Sequence, residues 1–335
     1  MLTTKAMKNI LRKTLPLVLA TLFIIGGCTH SSKHQPIVGV AFESLQSEGW
    51  VVGFETIKHQ LAKRNFEVLE AIANSDANRQ YEQVNTFISR KVDGIIIAPV
   101  DAQTVIPMIK AANDANIPIV LYNRPPAEND AKWVAVVNDN YALTKATVEA
   151  MAQLALKSHR TYKAMILIGS LTDFNAVQRR DGFEDALKPY AGTIDVVARI
   201  STDWNQEKAL AGVTNALQAH PDIGFIFSSS DFMLPSVESA LKAAGKYKTF
   251  TEPDHILLGS FDGDGTAYKM MVEGYLDADG AQDLPLEGVA SVQAIADLRE
   301  GKKVPQTIVD KGLVVTQSNL NEMGSQMWGS RFGQK

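Results

Sequence analysis

Residues able to grip a small polar molecule recur in this chain at one kind of position, just after short apolar runs. Glu43, Ser44 and, a little later, Trp50 follow Ile37–Phe42, and Tyr122-Asn123-Arg124 follows Ile117–Leu121. Ser170, Asp173, Asn175 and Arg179 follow Ala164–Gly169, and Asp203 and Trp204 follow Asp195–Ile200. Ser228-Ser229-Ser230-Asp231 follows Gly224–Phe227, Asp262 follows His255–Phe261, and Gln282 follows Leu276–Ala281. Arg, Asp, Asn and Gln offer forked or paired donors and acceptors that match vicinal hydroxyls. Trp offers a flat apolar face for the C–H side of a sugar ring. Trp50, Asn123, Arg124, Asn175, Arg179, Trp204, Asp231, Asp262 and Gln282 are therefore the candidate ligand-binding residues, and the chemistry they suit is capture of a small polyhydroxylated molecule.

Each also has a plainer reading. Asn123 and Asp262 are common turn residues that accept local backbone bonds. Arg179 opens Arg179-Arg180-Asp181-Gly182-Phe183 and could serve a surface or interdomain ion pair. Trp204 precedes a helical stretch and could be a hydrophobic staple. Trp133 and Trp328 read as packing residues. If Asp262 faces a ligand, it has no structural partner to abandon, and its removal should cost affinity with little stability.

Catalytic signatures are weak. No Gly-x-x-x-x-Gly-Lys-Ser/Thr loop occurs, and Gly263-Asp264-Gly265-Thr266-Ala267-Tyr268 lacks the third glycine of the dinucleotide fingerprint and follows the wrong strand. Of six His, only His30 and His34 stand four apart, in a polar stretch poorly suited to zinc. Asp76-Ala77-Asn78-Arg79-Gln80 imitates a calcium loop but contains Arg79 and lacks the closing acid. The expectation is a binding protein that is not an enzyme and uses neither cofactor nor metal.

Strand-like apolar runs and amphipathic stretches alternate from Ile37 to about Arg299, with Asp101 placed to cap the helix that follows it. This β-then-α repetition calls for parallel sheets covered by helices on both faces. The units fall into two sets of about five, more than the eight of a single barrel. The fold class is α/β, with two doubly wound, Rossmann-like lobes joined by a hinge. Open α/β sheets bind ligands outside the carboxyl ends of their strands, so two facing lobes would converge the polar strand ends on one cleft. Residues 37–138 with 283–311 should form an N-terminal lobe, and 139–282 with 312–335 a C-terminal lobe. Asn138-Asp139 and Gln282 would mark two of the crossings between them.

The composition is globular: 335 residues, 45% hydrophobic and 21% charged, which excludes a disordered chain and allows about two domains. Residues 1–27 hold Lys5, Lys8, Arg12 and Lys13 and no acid, leaving the rest with 29 basic against 37 acidic residues. That acidic body argues against nucleic acid as a partner. The basic start leads into Leu15–Ile25, long enough for a signal-peptide core and too short to span a membrane. Either Met1 or Met7 could begin it. Residues 1–27 read as an export signal and 28–36 as a polar tether. The single cysteine, Cys28, excludes an internal disulfide.

The sequence Ile25-Gly26-Gly27-Cys28 resembles a bacterial lipobox, which implies that Cys28 is lipidated and that the membrane is met through this anchor only, in the periplasm or cell envelope. The body resembles the type I periplasmic solute-binding proteins, ribose- and galactose-type sugar-binding proteins above all. The resemblance spans residues 36–318. It is carried by Asp93-Gly94-Ile95-Ile96-Ile97-Ala98-Pro99-Val100-Asp101, Ala115-Asn116-Ile117-Pro118-Ile119-Val120, Asn138-Asp139-Asn140, Arg179-Arg180-Asp181-Gly182-Phe183, His220-Pro221-Asp222-Ile223 and Gly259-Ser260-Phe261-Asp262-Gly263. It implies that Asn123-Arg124, usually Asp-Arg, and Asp262 bind sugar hydroxyls, that Trp204 stacks on the ring, and that Gln282 contacts ligand beside a hinge strand. It further implies hinge closure and an inner-membrane partner, an ABC permease. Asn123, Ala98 and Ser230 depart from the ribose-type pattern. The Glu43–Trp50 segment is similar instead to autoinducer-2 receptors, whose partner is a sensor kinase.

Overall fold

A computed structural model describes residues 35–332. Cys28, the export signal and most of the tether lie outside the described residues. The chain begins with β1 (Ile37–Phe42), α1 (Glu48–Lys63), β2 (Glu67–Ile72), α2 (Ala77–Ser89), β3 (Gly94–Ala98), α3 (Val105–Asp114), β4 (Ile119–Tyr122) and β5 (Val134–Asn138). It continues with α4 (Asn140–Lys157), β6 (Tyr162–Ile168), α5 (Phe174–Leu187), β7 (Ile194–Ser201), α6 (Gln206–Ala219), β8 (Ile223–Ser228), α7 (Leu234–Ala243), β9 (Leu257–Phe261), α8 (Gly265–Val272) and β10 (Ala278–Ala281). The last elements are α9 (Leu284–Arg299), β11 (Thr307–Asp310), β12 (Leu313–Thr316), α10 (Leu320–Met323) and α11 (Gly329–Phe332).

Two six-stranded sheets result, in the orders β11-β5-β4-β3-β1-β2 and β12-β10-β9-β8-β6-β7. Their central strands are buried on both faces, which is why they read as unbroken apolar runs such as Gly94–Ala98. Alternate residues feed opposite layers. Ile96, Ala98, Val120 and Tyr122 pack under α1 and α9, whereas Ile95, Ile97, Ile119 and Leu121 pack under α2 and α3. The second sheet repeats the scheme, with Ile166, Ile168, Phe225 and Phe227 on one side and Met165, Leu167 and Ile226 on the other.

Three details differ from the sequence expectation. β11 and β12 lie beyond the expected alternation. They are four-residue edge strands too short to stand out: β11 is half-buried at most, and β12 buries only Val315 fully. β12 runs antiparallel to β10, so the second sheet is mostly rather than wholly parallel. Asp101 does not cap α3: its Oδ1 accepts from the amides of Gln103 and Thr104, closing a turn ahead of a helix that begins at Val105.

The chain passes from the first sheet to the second after β5, returns after β10 and crosses again between β11 and β12. Asp310 ties these crossings together. Its carbonyl accepts from the Asp139 amide (3.1 Å) and from Asn138 Nδ2 (3.1 Å), and its carboxylate accepts from the amides of Asp283 (2.7 Å) and Gly312 (3.0 Å).

Candidate functional site

The carboxyl ends of both sheets face one cavity of about 310 Å³, at the low end of the range for small-molecule sites. Trp50, Asn123, Arg124, Asn175, Arg179, Trp204, Asp262 and Gln282 all line it. Asp231 does not. It is wholly buried behind the wall, where its Oδ2 accepts from the amides of Gly263 (2.8 Å) and Asp264 (2.9 Å). Those amides hold the carboxylate away from the cavity, and neighbouring Ser230 lines the wall instead.

Six side chains close a ring of hydrogen bonds along this surface. Asn123 Nδ2 donates to Gln282 Oε1 (2.9 Å), and Gln282 Nε2 donates to Asp262 Oδ1 (2.8 Å). Arg179 Nη1 donates to the same Asp262 oxygen (3.0 Å), and its Nε donates to Asn140 Oδ1 (2.7 Å). Asn140 Nδ2 donates to Asn175 Oδ1 (3.2 Å), and Asn175 Nδ2 returns to Asn123 Oδ1 (2.9 Å). Each member fixes the orientation of the next, and in a low-dielectric setting such a closed network rigidifies what it holds. Arg179 is further held by the Ser229 carbonyl (2.7 Å) and lies 3.8 Å over the Phe261 ring.

The ring explains two sequence features. Asn123 Nδ2 also donates to Glu287 Oε2 (2.9 Å), whose carboxyl burial pushes well above its usual range. An Asp at 123 would set two buried carboxyl groups together, so Asn fits where Asp is usual. Asp262 is more than a ligand-facing group. Besides Arg179 and Gln282, Ser230 Oγ donates to its Oδ2 (2.5 Å) and Trp328 Nε1 to its carbonyl (2.9 Å). The expectation that Asp262 lacks structural partners is therefore corrected. Asp262→Ala should lower thermal stability as well as any cleft affinity, as melting and calorimetry on the same preparation would show.

Local backbone geometry also concentrates here. Asn123, Asp203, Trp204 and Asp262 all have positive φ, of 63°, 50°, 58° and 132°. Asn and Asp tolerate the left-handed region better than other residues, but Trp204 does so at a cost, and such positions persist only when surroundings over-determine them. Trp204 is held by its Nε1 bond to Asp173 Oδ2 (3.1 Å) and by Gly169 beneath its ring. A Cβ at Gly169 would stand 2.1–2.3 Å from indole carbons. Gly169→Ala should therefore displace Trp204 and shift tryptophan emission while leaving the two sheets intact. An unchanged emission spectrum in that variant would contradict this packing.

Several contacts join one set of strand ends to the other. Arg124 Nε lies 3.0 Å from Asp173 Oδ2, close enough for an ion pair though not aligned as a hydrogen bond. Arg124 Nη1 donates to the Pro99 carbonyl, and its guanidinium lies 4.9 Å from the Trp50 ring. Glu43 and Asp173 stand after their strands in the sequence but are not among the candidates selected from it, although both line the cavity. Trp328, a packing residue on the sequence reading, is buried against Leu284 and also lines the cavity. It arrives from beyond the last strand, where no strand-end rule could find it.

Beneath Asp262 lies a second acidic layer. Asp231 and Asp279 are both fully buried and lie against each other, with Ser260 beside Asp231. Burial raises both: Asp231 well above its usual range, and Asp279 to about 8 with the nearby Asp262 and Asp264 charges contributing. Both carboxyl groups are therefore displaced towards the neutral form. Among the described residues, no group of three or more His, Cys, Asp or Glu could hold a metal ion.

Comparison with known proteins agrees with this architecture. The chain is 27% identical over 310 residues to the ribose import binding protein of Bacillus subtilis (strain 168), covering 89% of this chain and 97% of that one. It is 26% identical over 275 residues to the D-ribose/D-allose-binding protein of Pseudomonas aeruginosa, covering 80% and 83%. The crystal structure of an ABC transporter solute-binding protein from Bacillus halodurans C-125 with bound myo-inositol superposes with a TM-score of 0.77 at 25% identity, covering 87% and 98%. These relatives are binding proteins rather than enzymes. The family model described as periplasmic binding protein domain matches residues 38–303, and the chain belongs to that family.

Proposed function

We propose that this protein captures a small sugar or sugar-like polyol between its two lobes and delivers it to an ABC importer in the inner membrane. The observation that carries the reading is the closed ring Asn123–Gln282–Asp262–Arg179–Asn140–Asn175 on the wall of a cavity that Trp50 and Trp204 also line. A ring of pre-oriented donors and acceptors beside flat apolar faces suits hydroxyls on one side of a ligand and C–H groups on another. The import role is supported by the likeness to a ribose import binding protein. Trp50, Asn123, Arg124, Asn175, Arg179, Trp204, Asp262 and Gln282 are the contact residues. Asp231 acts behind them by fixing the loop that carries Asp262. A thermal-shift screen against neutral sugars and cyclic polyols tests the reading, because a ligand that binds only the folded chain raises its melting temperature. No shift with any member would contradict it.

Closure is expected to follow a hinge at the three crossings that Asp310 ties together. Small-angle scattering should show a smaller radius of gyration with saturating ligand, and an identical radius would count against a moving hinge. We further propose that the protein works in the periplasm from a lipid on Cys28. Cys28→Ala should move it from the membrane to the soluble fraction, and unchanged fractionation would contradict the anchor.

A further inference from the structure

The ligand class can be narrowed from the charges that line the cavity; this step rests on the sugar-site reading above. Five carboxyl groups line it, from Glu43, Asp173, Asp203, Asp262 and Asp264, against two guanidinium groups, from Arg124 and Arg179. Three of the five are accounted for. Asp262 pairs with Arg179 at 3.0 Å, and Asp203 pairs with Lys208 at the rim at 2.6 Å. Asp264 caps α8 by accepting from the Ala267 amide, and burial pushes its carboxyl well above the usual range, towards the neutral form.

That leaves Glu43 and Asp173, one from each set of strand ends, with Arg124 between them; Asp173 also caps α5 through the Asn175 amide and accepts from Trp204 Nε1, so Glu43 is the less compensated of the two. Arg124 is much closer to Asp173, at 3.0 Å, than to Glu43, at 3.8 Å. Glu43 is 91% buried, and its remaining partners are neutral hydroxyls: Ser44 Oγ on Oε1 and Ser75 Oγ on Oε2, both at 3.1 Å. One cation therefore serves two buried carboxylates, and the cavity lining carries excess negative charge. Uncompensated charge taken out of water is costly, and a ligand supplying the missing positive charge would remove that cost. A ligand carrying a carboxylate or phosphate would add to it.

We propose that the preferred ligand is a sugar or cyclic polyol bearing a protonated amine, and that Glu43 receives that amine. Glu43 is then a specificity-determining residue at the end of β1, separate in role from the ring that reads the hydroxyls. A hydrogen bond to a charged group sets the expected preference for the amine over the matched hydroxyl at roughly ten- to hundredfold.

The test is calorimetric titration at about pH 6, where amines that titrate at about 8 are protonated. The probes are matched series: glucose, glucosamine and glucuronate; galactose, galactosamine and galacturonate; myo-inositol and an amino-inositol. In the series that binds, the amine should bind at least tenfold tighter than the neutral member, and the uronate should not bind. In Glu43→Gln the amine advantage should vanish while neutral affinity changes less than threefold, a pattern that loss of a merely structural carboxylate would not give. Should that variant fold poorly, the wild-type comparison decides alone. Neutral members binding as tightly as amines would overturn the proposal and leave the sugar site standing. Failure of every member of every series would overturn both.

Discussion

Arg179→Met is expected to destabilise the protein by about 3–5 kcal/mol and to abolish ligand binding. The guanidinium is 97% buried and supplies three directed bonds, to Asp262, to Asn140 and to the Ser229 carbonyl. Truncation leaves Asp262 as an uncompensated buried carboxylate, and breaking such a pair from one side costs about that much. Burial already raises the Asp262 carboxyl against the lowering effect of Arg179, so without Arg179 its charged form is costlier still and its acceptor geometry is no longer fixed. The ring of six side chains opens at the same stroke. Denaturant unfolding of Arg179→Met beside Arg179→Met/Asp262→Asn checks the cause. The double variant should regain a large part of the lost stability, because the orphaned charge is gone, without regaining affinity. Equal stability of the two variants would show that the loss came from packing on Phe261 instead.

The second large effect concerns pH. Asp231 and Asp279 both hold protons more tightly in the folded state than in the unfolded chain, which releases them near the ordinary carboxyl value of about 4. Asp279 is held up at about 8, so between these limits the native state binds more protons than the unfolded one. Stability therefore falls as pH rises from about 4 to about 8. Asp279→Asn removes the Asp279 share of this linkage, while Asp231 stays raised by its own burial. The variant should match wild type near pH 4 and exceed it by a few kcal/mol at pH 8, since each tenfold difference in proton affinity is worth about 1.4 kcal/mol. His255 adds a slope of the same sign. Burial opposes its charge, but the bonds to Asp277 and the Lys248 carbonyl outweigh it and raise its pKa. That contribution is full below about pH 6.5 and fades as pH rises through the folded value. The difference between wild type and Asp279→Asn isolates Asp279. Parallel pH profiles for the two would contradict a raised Asp279 carboxyl.

The difference between what the sequence disclosed and what it hid is physical. Central strands such as Gly94–Ala98 are buried on both faces and carry their signal locally, so the doubly wound lobes and the polar strand ends could be read directly. The two late edge strands carry a weaker signal, with two or three apolar residues each. β11 pairs with β5 and β12 with β10, at the open edges of the two sheets. Asp231 and Asp262 illustrate the limit at the site. Both follow apolar runs and look alike in sequence, yet two backbone amides 32 and 33 residues away draw Asp231 behind the wall while Asp262 faces the cavity. Glu43 and Asp173 were visible as strand-end acids. Their significance lies in sharing a single Arg124 contributed by a third strand end, a relation that only the closed fold creates.

Tryptophan emission tests the central claim, that the cavity between the two sheets is a polyol site, most directly. Three of the four tryptophans, Trp50, Trp204 and Trp328, line that cavity, and Trp133 packs in the layer under α2 and α3. Titrating wild type and Gly169→Ala with the neutral and amino sugars should give a saturable change in emission in the wild type for at least one ligand. The same change should be absent or much weakened in Gly169→Ala, where the Trp204 ring is displaced. Saturable binding by calorimetry with no change in emission would place the ligand elsewhere and contradict the account.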